Sequence, residues 1–507
     1  MKNGIETKKP DPVNVRRNVY AMLLLAALSL VVSTLLMADP DTERFLGGFL
    51  ISFVLLFIFF KDILRYKPTY INNYNMLLLL CVMIIGTLVI GRASGYILEN
   101  LSKGLDLVHP DVAKYGIPIA TGAMFIALLF DFHAAITFSF TISLFMGFWL
   151  QDPLYPIYTF AGSLTAAFSV IRCKKRSALL RAGVYLIVAN VLLVLILLLA
   201  QGELFTSKTG NAILFAIFSG VTVSAIVSLL LPLLEHVFKL TTDISLLELL
   251  DLNQPLMKTL MITAPGTYHH SVIVGNLVES AAEEVGVNPL LGRVSSYYHD
   301  IGKVKMPEYF VENQSLSPSK HDKLTPHMSS MIITNHVKEG VELARQYKLP
   351  QTIIDIIKQH HGNALITYFY QKAKGLGSEN APSAEEYKYP GPKPQTRVAA
   401  LVMMADAVEA ASRVLNDPTP ARISALVDKI INHIFLDGQL DECELTLKDI
   451  SEIKRRFTYI LTGIFHKRID YPGFDFSDGN IHKEPAKNDR SGLEEVGKGS
   501  HQIPASP

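Results

Sequence analysis

The sequence predicts an all-α protein in two parts: a multi-span helical membrane domain followed by an all-α cytoplasmic domain. Of its 507 residues, 49% are hydrophobic and only 18% are charged, which is too apolar for a wholly soluble chain. The apolar excess is concentrated in residues 19–237. Beyond that region, apolar residues recur at helical spacing, and no convincing alternating strand pattern is present.

The apolar runs predict about eight membrane spans, since a helix needs about 20 apolar residues to cross the hydrocarbon. The spans lie near 19–37, 46–61, 75–97, 115–130, 133–150, 154–171, 179–200 and 211–236. A cleaved signal peptide over residues 1–38 is the alternative for the first run and would leave seven spans. Few polar residues lie inside the runs, so we expect uninterrupted spans.

Basic residues indicate the orientation. They cluster in the N-terminal segment, after the second span and after the sixth span: Lys2, Lys8, Lys9, Arg16, Arg17; Lys61, Arg65, Lys67; Arg172, Lys174, Lys175, Arg176, Arg181. Cytoplasmic loops are enriched in Lys and Arg, so the N-terminus and residues 238 onward are predicted to be cytoplasmic. The net charge of +1 argues against a nucleic acid polymer as partner.

Changes in composition divide the chain into five segments. We predict a cytoplasmic N-terminal segment (1–18), the transmembrane domain (19–237), a connector (238–260), a helical domain (261–470) and a disordered tail (471–507). Ser245 and Glu248 fit a capping box that opens a connector helix. The tail has few apolar residues, which is typical of disorder.

Helix boundaries in the second half are marked by Gly and Pro. A helix is predicted over residues 271–285, with His270 at its start and Gly286 ending it. Further helices are predicted to begin at Pro289, Pro326 and Pro350, because proline is favoured in the first helical turn. Later helices are predicted over 397–413, 418–436 and 447–466.

A set of imidazoles and carboxylates lies at the ends or middles of these helices. The set consists of His270, His299, Asp300, His336, His360, His361 and Asp406. Neutral imidazole and carboxylate are good ligands for Zn, Fe or Mn. Each residue alone has an ordinary interpretation, such as a surface histidine or a hydrogen-bonded aspartate. Seven ligand-type residues on successive helices favour a binuclear centre instead, in which Asp300 could bridge two metals.

Such a centre could hydrolyse a phosphate ester. A water that bridges two metals loses a proton near neutral pH and can attack a phosphodiester in line with its leaving oxygen. Asp300 and Lys303 are the predicted catalytic residues. Lys303, one helical turn past His299-Asp300, is placed to add positive charge at the phosphate, and a solvated lysine is the alternative.

Several segments carry a family resemblance: "APGTYHHSVIVGNLVESAAEEVGVNPLLGRVSSYYHDIGK", "TNHVKEG", "QHHG", "YPGPKPQ" and "MADAVEAASR". The sequence resembles the seven-transmembrane HD family of cyclic-di-AMP phosphodiesterases over roughly residues 45–470. The resemblance implies a cytoplasmic HD-type metal phosphohydrolase domain anchored in a bacterial plasma membrane by a seven-helix unit, formed here by the last seven spans. It also implies a cyclic dinucleotide substrate, hydrolysed from cyclic di-AMP to linear pApA through a metal-bridged hydroxide, and two divalent metal ions, Fe or Mn.

The family's pattern assigns the ligands residue by residue. The first metal takes His270, His299, Asp300 and Asp406; the second takes Asp300, His336, His360 and His361. His269 becomes a supporting or structural residue, and His321 and His327 lie outside the pattern. Only Ala38 to Phe45 separate the first two spans, so the family's extracellular domain is missing and sensing of an external ligand is in doubt.

Other functions stay open at this point. A cyclic-di-GMP phosphodiesterase of the HD-GYP type would carry Gly-Tyr-Pro after its His doublet, whereas this chain has Gly362-Asn363-Ala364. HD domains can hydrolyse other nucleotides. A non-catalytic dinucleotide receptor and a transporter with a regulatory domain are further alternatives, and the transporter predicts broken spans with paired polar residues. A homodimer is compatible with the sequence.

Overall fold

Helices dominate both halves of the chain. The computed structural model describes residues 12–37, 41–67, 74–104, 109–171, 173, 175–314, 319–376 and 382–465. Within them, β pairing is limited to an isolated bridge between Leu365 and Lys388. The predicted all-α fold class is therefore confirmed. The basic residues Lys2, Lys8 and Lys9 and the tail 471–507 lie outside the described residues.

The described part of the first half has one α-helix at each predicted span. These are α1 (Pro12–Leu36), α2 (Thr42–Tyr66), α3 (Tyr74–Gly104), α4 (Ala120–Leu129), α5 (Phe132–Leu150), α6 (Tyr155–Val170), α7 (Ser177–Ala200) and α8 (Lys208–Phe238). Within the described residues, six stretches are long and apolar enough to cross a bilayer: those of α2, α3, α5, α7 and α8, and the run Asp111–Leu129 that includes α4. The number of eight spans stays a prediction. The five residues between α1 and α2 leave no room for a folded domain there.

The run Asp111–Leu129 is a broken span. A 3-10 segment, Pro110–Gly116, precedes α4, and residues 117–119 between them are not helical except for a turn at 119. Backbone carbonyls freed by such a break need partners where water is excluded. Three hydroxyls supply them: Tyr155 donates to the carbonyl of Lys114 at 2.8 Å, Tyr158 to Tyr115 at 2.7 Å and Ser219 to Ile117 at 3.2 Å. The expectation of uninterrupted spans is wrong here, and side chains of α6 and α8 close the break.

Shorter helices build the second half. They are α9 (Asp243–Leu249), α10 (Pro255–Thr263), α11 (Pro265–Glu284), α12 (Pro289–Tyr298), α13 (Pro326–Gln346), α14 (Gln351–Gln359), α15 (Thr367–Gly375), α16 (Arg397–Ser412), α17 (Pro420–Leu436) and α18 (Leu447–Ile464). A 3-10 turn, Ile301–Lys305, follows α12. One buried apolar cluster, which includes Val294, Ile353 and Ile357, joins α12 to α14.

Most helix boundaries follow the predicted signals. Gly286 ends its helix with a φ of +68°, and the Asn288 side chain caps α12 by accepting from the backbone N–H of Leu291. Two details differ. His270 lies in the second turn of α11, because the helix already begins at Pro265. The predicted capping box at Ser245 is wrong, because the Thr242 hydroxyl caps α9 by accepting from the N–H of Ser245.

The connector helix α9 touches both the span side and the helices of the second half. The Arg176 guanidinium, just before α7, donates to Glu248 at 2.7 Å. The Tyr298 hydroxyl, at the end of α12, donates to the carbonyl of Leu249 at 2.8 Å. These contacts fix the end of α12, which leads directly into His299-Asp300.

Candidate metal centre

The structure brings all seven predicted ligand residues together in two overlapping groups. One group contains His270, His299, Asp300 and Asp406, and the other contains Asp300, His336, His360 and His361. Within each group, the candidate ligand atoms lie within 4.8 Å of one another. Asp300 belongs to both groups, so one carboxylate stands between two candidate metal positions.

Five helices supply these side chains. Three ligands lie within helices: His270 in α11, His336 in α13 and Asp406 in α16. The other four form two dipeptides, His299-Asp300 directly after α12 and His360-His361 directly after α14. A dipeptide at a helix end can turn both side chains toward one centre, because the backbone leaves the helical path there. After the second dipeptide, Gly362 adopts a φ of +53°.

The two oxygens of Asp300 face different groups. Oδ1 lies 3.2 Å from His336 Nε2 and 3.7 Å from His360 Nε2. Oδ2 lies 3.2 Å from His299 Nε2 and 3.8 Å from His270 Nε2. A carboxylate placed in this way can give one oxygen to each of two ions.

Three of the histidines have the same supporting hydrogen bond. In each, Nδ1 donates to the carbonyl three residues earlier on its own helix: His299 to Ser296 at 2.7 Å, His336 to Ile333 at 2.5 Å and His360 to Ile357 at 2.7 Å. A proton on Nδ1 leaves Nε2 with a free lone pair. The backbone therefore selects the tautomer that metal ligation requires and orients the ring.

Several buried nitrogen and oxygen atoms lack hydrogen-bond donors and are placed to bind cations. The Nε2 atoms of His336 and His360 face each other at 3.4 Å, although both hold lone pairs when Nδ1 is protonated. Among the described residues, His299 Nε2 and Asp300 Oδ1 are buried without a hydrogen-bond partner. Buried polar atoms without partners are costly. The donor set, imidazole and carboxylate without thiolate, suits divalent ions, so these residues fit a pair of them.

Electrostatics favour the ligating protonation states of His361 and Asp300 but not of His299. Burial lowers the pKa of His299, but Asp300 and Asp406 outweigh it and raise that pKa to about 10, so a bound metal would displace a proton from this ring. Burial and the neighbouring His360 hold the pKa of His361 well below its usual value, so its ring is neutral. Burial raises the pKa of Asp300, but His299 and Lys303 outweigh it and hold that pKa well below the usual range. Neutral imidazoles and ionised carboxylates are the forms that bind metal.

Glu409 is a supporting residue that the sequence analysis did not single out. It is almost fully buried, accepts a hydrogen bond from His270 Nδ1, and is paired with Arg413 at 2.6 Å. His270 Nε2 then faces Asp406 Oδ1 at 3.0 Å. Carboxylates that accept from the far nitrogen of a ligand histidine fix its orientation. Glu409 lies one turn after Asp406 in an apolar helix, and this position is the sequence feature that could have identified it.

Lys303 lies beside the centre with its charge already paired. Its Nζ lies 2.7 Å from Asp300 Oδ2 and 2.8 Å from Glu312 Oε1. Its side chain is only 12% exposed, so it is not a solvated lysine.

The remaining histidines discussed above lie outside the two groups. His269 is exposed, although His270 beside it is buried. His321 is buried and bonds to the carbonyl of Tyr309 at 2.8 Å, and His327 is exposed. The predicted choice of His270 over His269 agrees with this arrangement.

The centre is most open at His361 and Asp406. Their side chains are 22% and 13% exposed, whereas those of the other five residues are at most 6% exposed. The ring of Tyr389 stacks on His361 with 4.1 Å between ring centroids. A ligand would reach the centre from this side.

Comparison with protein families identifies both halves of the chain. Residues 43–242 match the family described as 7TM receptor with intracellular HD hydrolase, and residues 267–411 match the HD domain. The chain thus contains both domains, a 7TM unit of this family and an HD domain. The predicted resemblance is thereby confirmed. An HD domain implies divalent metal binding, and the two groups described above could hold such ions.

Two cyclic-di-AMP phosphodiesterases are similar to much of the chain. The cyclic-di-AMP phosphodiesterase PgpH of Bacillus subtilis (strain 168) is 37% identical, over 90% of this chain and 63% of that protein. PgpH of Listeria monocytogenes is 43% identical over 61% of this chain and 43% of that protein. The crystal structure of the L. monocytogenes PgpH HD domain with cyclic di-AMP is 48% identical over 43% of this chain and all of that chain, with a TM-score of 0.41. The chain thus spans less than two thirds of the length of these full-length relatives.

Proposed function

We propose that this chain is a membrane-anchored phosphodiesterase that hydrolyses cyclic di-AMP to linear pApA with the help of two divalent metal ions. The observation that carries the proposal is the position of Asp300, whose two oxygens face two separate sets of histidines. Both full-length relatives are named cyclic-di-AMP phosphodiesterases, which supports the choice of substrate.

The ligands divide between the ions as the two groups do. His270, His299 and Asp406 would hold one ion, His336, His360 and His361 the other, and Asp300 both. When bound, such ions supply a water activated near neutral pH and positive charge for the phosphate oxygens. The metals are Fe or Mn in this proposal, as the family resemblance implies, and the set of imidazoles and carboxylates suits both ions.

The protein's own groups hold this arrangement ready. Backbone carbonyls orient three of the rings, and Glu409 orients His270. Most of the ligand side chains are buried, so bulk water reaches the centre chiefly beside His361 and Asp406. We assign the catalytic role to Asp300, through its shared carboxylate, and a supporting role to Lys303, whose ammonium group lies 2.7 Å from that carboxylate.

We further propose that the helical domain, residues 261–470, is cytoplasmic and is joined by the connector 238–260 to the spans 19–237. Arg176 belongs to the basic loop before α7 and bonds to Glu248 of the connector helix. The basic loop and the connector therefore lie on the same side of the membrane. Basic loops favour the cytoplasmic side.

The main rival is a phosphodiesterase for cyclic di-GMP. The absence of Gly-Tyr-Pro after His361 in this sequence argues against it. A receptor that binds a dinucleotide without cleaving it would have no need for seven ligand-type residues gathered at one carboxylate.

Two adjacent histidines allow a matched test on the full-length chain in detergent. We would assay cyclic di-AMP, cyclic di-GMP and 3′,5′-cAMP with Mn²⁺ for the wild type, His270→Ala and His269→Ala. We expect cyclic di-AMP to be cleaved to pApA, His270→Ala to lose this activity and His269→Ala to keep it. A preference for cyclic di-GMP would overturn the substrate, and an active His270→Ala would overturn the centre.

A further inference from the structure

The segment that follows His299-Asp300 packs against the start of α11 through Glu312 and Asn313. The Thr267 backbone N–H donates to Asn313 Oδ1 at 3.1 Å, and the Thr267 hydroxyl donates to Glu312 Oε1 at 3.0 Å. A Cβ added at Gly266 would lie 1.9 Å from the Glu312 carbonyl oxygen, so only glycine allows this approach. Glu312 is thereby attached to the helix that bears His270, one turn before that ligand.

The same carboxylate also reaches the shared aspartate through one lysine. Glu312 Oε1 accepts from Lys303 Nζ at 2.8 Å, and Lys303 Nζ lies 2.7 Å from Asp300 Oδ2. The side chains of Lys303 and Glu312 are 12% and 14% exposed. The ring of Phe310 lies 5.0 Å from the ammonium group. Lys303 is thus enclosed between two carboxylates and an aromatic ring.

We propose that Glu312 is a positioning residue that neutralises Lys303 and holds it against Asp300, so that Lys303 acts through Asp300 and not on the substrate. This role rests on the two-ion centre of the proposed function. Two divalent ions and a lysine in one buried site repel one another. The Glu312 charge offsets that repulsion, and its bond to Thr267 keeps Asp300 in register with His270.

Charge rescue separates this role from simple packing. We would measure Mn²⁺ affinity of the full-length chain in detergent for the wild type, Glu312→Gln, Lys303→Met and the double variant. Glu312→Gln keeps a hydrogen-bonding side chain but removes one of the two carboxylates that compensate Lys303, so affinity should fall by about 10–100-fold, as for other groups that support ligands. The double variant removes both charges and should recover most of that loss.

Glu308 provides a matched control in the same segment. It is paired with Lys320 at 3.0 Å, and its side chain is 45% exposed. We expect Glu308→Gln to bind Mn²⁺ as the wild type does. Unchanged affinity in Glu312→Gln, or a loss that the double variant fails to recover, would overturn the charge role of Glu312.

The kinetic constants for cyclic di-AMP test whether Lys303 meets the substrate. We expect Lys303→Met to lower kcat with little change in KM, and a large rise in KM at unchanged Mn²⁺ affinity would overturn the proposal. The kinetic constants of Lys303→Met also test the proposal if the Glu312→Gln variant does not fold. A wild type that binds Mn²⁺ without cleaving cyclic di-AMP would refute the proposed function, and the Mn²⁺ titrations would still test Glu312.

Discussion

Gly302 allows the turn after Asp300 to contact the backbone of α13, which carries His336. Adding one methyl group at Gly302 should disable half of the proposed centre. A Cβ at Gly302 would lie 1.8 Å from the carbonyl oxygen of His336 and 2.6 Å from the backbone N of Gly340. Real Cβ contacts are essentially never shorter than 3.0 Å, and both neighbours are backbone atoms of α13. Gly302→Ala must therefore move α13 away from the turn that follows Asp300 by more than 1 Å.

This displacement is large for a metal site. His336 Nε2 lies 3.2 Å from Asp300 Oδ1, whereas ligand distances must hold within about 0.2 Å. We expect Gly302→Ala to lose the ion held by His336, His360 and His361 while the other is retained. Overpacking of this kind also destabilises a fold by roughly 1–3 kcal/mol.

Metal content and thermal unfolding together test this expectation. We would measure Mn per chain by mass spectrometry after desalting, alongside Tm, for Gly302→Ala and for Gly375→Ala. Gly375 is a suitable control because a Cβ there meets nothing within 4 Å. If Gly302→Ala kept the wild-type metal content and activity, the claim that this close contact sets the second group would be refuted.

Three further predictions concern neighbouring features. Glu409→Gln should weaken Mn²⁺ binding about 10–100-fold, because it loosens the hydrogen bond that orients His270; an unchanged titration would contradict this. Tyr298→Phe removes the hydrogen bond to the Leu249 carbonyl and should lower the free energy of unfolding by about 1 kcal/mol, and denaturant unfolding that shows no loss would contradict it. Removing metal with EDTA should abolish hydrolysis and lower Tm, because Asp300 is buried among groups suited to cations; a Tm unchanged by EDTA would argue against a resident metal.

The ligands could be recognised from the sequence because proline, glycine and capping residues mark where the helices that carry them begin and end. Asn288 and Pro289 begin α12, and the histidine doublet follows the last residue of α14. Proline and glycine act through backbone geometry that needs no tertiary context. For that reason the helix ends and the residues placed at them were largely predictable, and the family pattern then assigned the ligands.

Tertiary hydrogen bonds explain what the sequence could not reveal. The break before α4 lies in an apolar run, and its carbonyls are satisfied by Tyr158 and Ser219, which are 43 and 102 residues from their partners. The periodicity of apolar residues cannot reveal hydrogen bonds between residues so far apart in the sequence. The N-terminal cap of α9 also depends on a contact with another helix, because the Thr242 hydroxyl donates to Glu235 of α8. The local sequence therefore did not identify Thr242 as the cap.

The supporting carboxylates explain how a buried centre can hold so much charge. Glu409 is paired with Arg413, and Glu312 is paired with Lys303, so each of these outer pairs is neutral. The net negative charge at the proposed centre then comes from Asp300 and Asp406, because the histidines ligate as neutral rings. Two divalent ions exceed the charge of two carboxylates, which leaves the centre positive. A positive centre suits the proposed substrate, because both phosphodiesters of a cyclic dinucleotide are anionic and electrostatic complementarity favours its binding.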